Sequence, residues 1–131
     1  MAKYVYPAIF HPNEDDGSIT VTVPDLPGCI TEGKDLADAI FMAGDAVSMW
    51  LWSAEDDKEE IPAPTQPLQA AAPEFVNYVY ADTDEYRRKY DSRAVKKTLS
   101  IPAWLNRQAE QAGVNFSQVL QEALKAKLNV S

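Results

Sequence analysis

At 131 residues the chain has room for one ordinary domain, or for one of about 80 to 90 residues followed by a much smaller one. A net charge of −8 argues against nucleic acid as partner of the chain taken whole, and no run of about 18 apolar residues is present to cross a membrane. The single cysteine, Cys29, excludes an internal disulfide. The charge is unevenly spread. Residues 1–91 hold 6 Lys/Arg against 18 Asp/Glu, a net −12, and residues 92–131 hold 6 against 2, a net +4. This asymmetry predicts two modules, an acidic one suited to a basic protein and a basic one suited to phosphates, unless the acids only solubilise the surface. No second Cys or His stands at metal-ligand spacing and no leader-like apolar stretch follows Met1. No metal, no cofactor and a cytoplasmic location are therefore expected.

Lys3–Phe10 alternates aromatic and β-branched residues and predicts a strand. Asn13-Glu14-Asp15-Asp16-Gly17 is turn chemistry and Ile19–Val23 alternates again, so the two strands predict a hairpin. Pro24-Asp25-Leu26-Pro27-Gly28-Cys29 breaks the second strand, and Cys29–Thr31 begins a third. Asp35 is placed to cap a helix whose first turn carries Asp38. Leu36, Ile40, Ala43, Val47 and Trp50/Leu51 recur at helical spacing as its core-facing stripe. Met42, Met49 and Trp52 fall off that stripe; they are either the margin of a broad core face or a contact with another molecule, since Met and Trp are enriched at interfaces. The charge run Glu55–Glu60 ends the helix, and Pro62, Pro64, Pro67 and Pro73 make Ile61–Pro73 an extended connection. Phe75–Ala81 predicts a fourth strand, and Asp82–Lys89 places acids first and bases last, the polarity of a short helix. The order β-β-β-α-β plus a short helix predicts an α+β domain with a mostly antiparallel sheet.

Val23-Pro24-Asp25-Leu26-Pro27-Gly28-Cys29, followed by Thr31 and Gly33, is one distinctive piece; the helix Leu36-Ala37-Asp38-Ala39-Ile40 with Ala43, Ala46 and Val47 is another. With the preceding hairpin they resemble the HicB antitoxin family over roughly residues 3–80. The resemblance implies a truncated ribonuclease-H-like fold and binding to HicA, a small basic toxin of double-stranded-RNA-binding-like fold that cleaves messenger RNA. The residues themselves offer little for catalysis. Metal-dependent phosphodiester cleavage needs several converging carboxylates, and Lys3–Phe10 supplies none. Asp25 lies in a Pro-flanked turn, Asp35 and Asp38 read as helix-start residues, and His11 reads as a surface or turn residue. Cys29 has no nearby His, Lys or Arg in sequence to activate it and reads as a small buried side chain.

In the tail, Arg93–Pro102 predicts a strand stopped by proline, with Val95, Lys97, Leu99 and Ile101 on one face and Lys96, Thr98 and Ser100 on the other. Pro102 suits the first position of a helix faced by Ile101, Leu105, Ala109 and Ala112, and Gly113 stops it. Asn115-Phe116-Ser117-Gln118 resembles a capping box for a second helix with the stripe Phe116, Leu120, Ala123/Leu124 and Leu128. Strand, helix, Gly turn and helix over Val95–Val130 resemble the ribbon-helix-helix family typified by the Arc and MetJ repressors. One strand and two short helices cannot satisfy the strand's backbone or close a core, so a homodimer is expected, with Leu99, Ile101, Leu105, Phe116, Leu120 and Leu124 in a shared core. Lys96, Thr98 and Ser100 are then the candidates for base contacts in the major groove of operator DNA, and Lys97, Asn115, Phe116 and Ser117 for phosphate contacts.

The sequence therefore predicts no enzyme but a two-part antitoxin, with residues 1–91 binding a HicA-like toxin and residues 92–131 forming a dimeric DNA-binding module. The rival readings are a ribonuclease-H-like nuclease, and a plain repressor whose acidic domain senses a small molecule.

Overall fold

A computed structural model describes residues 3–65 and 69–131; Pro67, one of the prolines read as breaking the connection, lies outside the described residues. The chain divides into a unit ending at Arg93 and a unit spanning Ala94–Ser131.

In the first unit β1 (Lys3–Pro12) runs two residues beyond its predicted end and pairs antiparallel with β2 (Ile19–Thr22) and with β4 (Phe75–Asp82). The hairpin turn is closed by its own polar groups. Gly17 takes φ +77, Asn13 N–H donates to Ser18 O at 2.8 Å, and the Asp16 carboxylate accepts from Ser18 N–H and Oγ at 3.0 and 2.7 Å. After β2 the Pro-Gly loop folds back through Leu26 N–H to Val23 O (3.0 Å) and Cys29 N–H to Leu26 O (2.9 Å), with Gly28 at φ +80, and delivers β3 (Ile30–Gly33) to pair with β2. The sheet order is β3-β2-β1-β4.

Helix α1 (Leu36–Asp56) starts where the acids predict. Asp35 accepts from Asp38 N–H at 2.9 Å, and the Asp38 carboxylate accepts from Lys34 N–H at 2.8 Å. It packs on the sheet face carrying Tyr6, Ala8, Phe10, Val21, Val79 and Ala81, and buries Ala39, Ala43, Val47 and Leu51 there. This corrects the predicted stripe at its first turns: Leu36 and Ile40 stay 47% and 46% exposed, while Ala39 is fully buried. The reason is a close approach of chains. A Cβ on Gly33 would lie 2.2 Å from Ala39 N, so the helix enters too near β3 for any but a small residue to face it. Trp50 is half-buried, and its indole N–H donates to Pro27 O at 3.0 Å. Cys29 is buried, and burial raises its thiol pKa, in keeping with a packing role.

β4 leads directly into α2 (Thr83–Tyr90), capped by Asp82, which accepts from Asp84 and Glu85 N–H at 3.1 and 3.2 Å. Bonds with Tyr6 and Asp25 tie down the start of the connection before β4. Tyr6 OH donates to Pro62 O at 2.5 Å, and Thr65 gives both its N–H (2.9 Å) and its hydroxyl to Asp25.

The second unit holds α3 (Ala103–Gln111) and α4 (Phe116–Leu128) around Gly113 at φ +70. Pro102 stands one position outside α3, as its N-cap, and not at the first helical residue. Residues 91–102 form neither helix nor ladder in the single chain; a ladder there requires a second strand.

Two glycine replacements test the close approach. Gly33→Ala should lower the unfolding free energy by about 1–3 kcal/mol or more, because the obstruction is backbone. Gly44→Ala, whose Cβ would meet Tyr80 O at an ordinary 3.7 Å inside α1, should be neutral or stabilising by up to about 1 kcal/mol. Urea unfolding of the two variants checks the contrast.

Candidate partner-binding and nucleic-acid-binding surfaces

With α1 on one face, the other face of the sheet is partly exposed, although Pro7 on it is buried. The register sets Val5 opposite Tyr80, Pro7 opposite Tyr78 and Ile9 opposite Val76, and continues through Thr20 and Thr22 to Ile30 and Glu32. Ile30, Val5, Tyr78 and Tyr80 are exposed on it, the two tyrosines at 52% and 55%. His11 lies at one margin with its two ring nitrogens engaged, Nδ1 by Glu74 at 2.5 Å and Nε2 by Thr22 Oγ1 at 3.0 Å.

At the end of α1 a side chain read only as part of the charge run that ends the helix is a structural hub. Glu55 accepts from Tyr4 OH at 2.8 Å and Thr83 Oγ1 at 2.9 Å, and Arg87 bridges it (3.1 Å) to Asp56 (2.9 Å). The signal was present in the sequence: Glu55 stands four residues beyond Leu51, on the buried stripe. Arg87 also lies over the Trp52 ring at 5.4 Å, and Tyr86 meets that ring edge-on at 5.7 Å. Trp52, read as either the margin of a broad core face or a contact with another molecule, is engaged by α2 of its own chain. Met49 is exposed, and Met42 is half-buried beside Asp38 and Glu32.

The carboxylates do not gather. Among the described residues no group of three or more His, Cys, Asp or Glu is placed to hold a metal ion, and Asp25 is committed to Thr65. No helix among them is long and apolar enough to cross a membrane.

In the second unit Lys96, Lys97, Thr98 and Ser100 are exposed on the segment before α3. Leu99, Ile101, Leu105, Phe116, Leu120 and Leu124 are exposed too, and no residue of 94–131 is buried. Asn115 caps α4 by accepting from Gln118 N–H at 3.1 Å, but the Gln118 side chain donates onward to Glu122 at 3.2 Å, so only half of the expected capping box forms.

A family model described as the HicB-like antitoxin of bacterial toxin–antitoxin systems matches residues 6–124. The chain belongs to this family. A Haemophilus phage HP1 protein, described as an uncharacterized 14.9 kDa protein of the rep-hol intergenic region, is 29% identical over 99 residues, which span 74% of this chain and 73% of that one. Among solved structures, a toxin–antitoxin complex from Streptococcus pneumoniae matches with a TM-score of 0.60 at 24% identity, over 95% of this chain and 99% of that one. The Burkholderia pseudomallei antitoxin HicB matches with a TM-score of 0.51 at 22% identity, over 95% and 96%. These structural likenesses are ones of fold.

In this HicB-like antitoxin two partly buried phenols, Tyr4 at the Glu55 hub and Tyr86 beside Asp45, set an alkaline limit on stability. The Tyr4 phenol is pushed up to about 12 by burial and by its bond to Glu55, and the Tyr86 phenol to about 12 by burial and Asp45. A phenol whose folded value exceeds the unfolded value of about 10 stabilises the fold fully below that pH, and its contribution is lost as pH rises through the folded value. Stability should therefore fall between pH 10 and about 12, with a shallower fall in Tyr4→Phe. Urea unfolding across that window, with tyrosinate absorbance followed in parallel, measures it.

Proposed function

We propose that this HicB-like chain neutralises a HicA-like, messenger-RNA-cleaving toxin with its acidic front unit, of truncated ribonuclease-H-like fold, and represses its own operon through a homodimeric ribbon-helix-helix tail. The observation that carries the tail assignment is the apolar set Leu99, Ile101, Leu105, Phe116, Leu120 and Leu124, all exposed in one chain. Such a set calls for a second copy, because so much apolar side chain left in water is costly and a core of 38 residues cannot close alone. The ribbon formed by two copies would turn Lys96, Thr98 and Ser100 outward to base edges, with Lys97 near the phosphates. The Asn115 side chain is committed to its cap, so the phosphate contact at the start of α4 is assigned to main-chain N–H groups of Phe116 and Ser117. The net −12 of residues 1–91 supports a basic partner for the front unit.

Two experiments separate the two activities. A HicA-like toxin mixed with the full chain at excess should lose its RNA cleavage; undiminished cleavage overturns the antitoxin half. For the DNA half, the Lys96→Ala, Thr98→Ala, Ser100→Ala triple variant should stay folded and dimeric while its preference for upstream DNA over a scrambled duplex falls by about 1–3 kcal/mol per lost base contact. Lys97→Ala should instead weaken binding to all sequences and flatten the salt dependence. An unchanged preference in the triple variant, measured by titration at two salt concentrations, leaves the tail a dimerisation device only.

A further inference from the structure

We infer that the toxin docks on the front unit by adding a strand to the outer edge of β4, a placement that rests on the antitoxin reading above. β4 is the last strand of the sheet, and its outer edge meets no other strand among the described residues. The direction of its backbone groups follows from one bond. Asn77 Oδ1 accepts from Tyr78 N–H at 2.9 Å, which places that N–H away from the β1 ladder. Opposite Tyr78 stands Pro7, which has no N–H, and Pro7 also lies beyond the last residue that β1 pairs with β2. Alternate residues of an antiparallel strand face the same neighbour, so Val76 and Tyr80 also turn their N–H and C=O outward. The edge thus offers outward N–H groups at Val76, Tyr78 and Tyr80 and outward C=O groups at Val76 and Tyr78, the Tyr80 C=O lying beside Gly44 of α1.

This edge lacks the usual guards. Phe75–Ala81 contains no Lys, Arg or Pro, whereas the opposite edge is a four-residue strand carrying Glu32 and followed by Lys34. The Asn77 side chain covers one N–H, and rotation about its side-chain bonds releases it to an incoming carbonyl. Beside the C-terminal half of β4 lies an open cavity of about 280 Å³ whose lining includes Ile40, Phe41, Tyr80 and Tyr90 with the carboxylates of Asp45 and Glu85. Aromatic and aliphatic walls with acids among them suit the stems and charged heads of Arg or Lys on the added strand.

A second copy of β4 is the competing occupant. A two-fold pairing centred on Tyr78 would set Asp82 of each copy opposite Glu74 of the other, two like-charge encounters that a basic partner turns into attractions.

The test uses the full chain and the HicA-like toxin of the cleavage experiment above. Tyr78→Lys with Tyr80→Lys alters two exposed side chains and guards the edge; Ile30→Lys does the same on β3 as control. The double variant should weaken the complex at least about tenfold by calorimetry with its thermal unfolding retained, and Ile30→Lys should stay within about twofold. Amide exchange at Val76 and Tyr80 should slow when the complex forms, a readout independent of the variants. Wild-type chain that fails to bind overturns the antitoxin reading itself. Wild-type binding with an unaffected double variant and unchanged β4 exchange overturns the docking edge alone. Protection of Val76 and Tyr80 already present without toxin, in a species that sediments as a tetramer, gives the edge to a second copy and overturns the inference as well.

Discussion

The packing of α1 against one sheet face sets the conditions for the rest of the front unit. Val47 and Leu51 reach Tyr6, Phe10, Val21 and Val79 across it, each large side chain contributing about 1.5–3 kcal/mol by leaving water. That contact is possible because Gly33 and Ala39 let the helix start against β3 almost backbone to backbone. From there the helix runs across the sheet until Glu55, where the polar hub with Tyr4, Thr83 and Arg87 ties its end to β1 and α2. One close approach and one polar anchor thus define where the helix lies. A single helix covers one face only, so much of the other face stays exposed and β4 is left as an edge strand.

The tail meets a related constraint at smaller scale. Its two helices are well formed locally, with Asn115 capping α4 and Gly113 and Asn129 taking left-handed conformations at turn and terminus. Local order does not bury its leucines, and a segment of this length cannot enclose them. Both units are therefore folded to present surfaces, the first acidic and partly aromatic, the second basic and apolar.

The chemistry of the front unit points the same way. Several of its carboxylates serve helix caps (Asp35, Asp82), a turn (Asp16) and the holding of loops and helices (Asp25, Glu55), each with a hydrogen-bond partner in the fold. Acids dispersed in this way shape an electrostatic surface and fix the backbone; they do not converge on a common point.

Much of the front unit was legible in the sequence, because its signals are local. Strand alternation, the Asn13–Gly17 turn, the Pro-Gly break and the Asp35 and Asp82 caps each specify the dihedral angles of a few residues, and the elements appear close to where these signals put them. The family resemblance carried by the Val23–Cys29 loop and the α1 pattern was legible for the same reason. What periodicity could not decide was rotation about the helix axis: Leu36 and Ile40 fit the apolar spacing as well as Ala39 does. Only the approach of Gly33, a contact between segments, turns the helix so that the small residue faces inward. The partnership of Glu55 with Tyr4, 51 residues away, and the direction of the Tyr78 N–H have the same origin. The sequence by itself determined which elements of the front unit form and how charge divides along the chain. The tertiary structure decided which faces and which edge remain open, because those depend on distances between segments that no local pattern encodes.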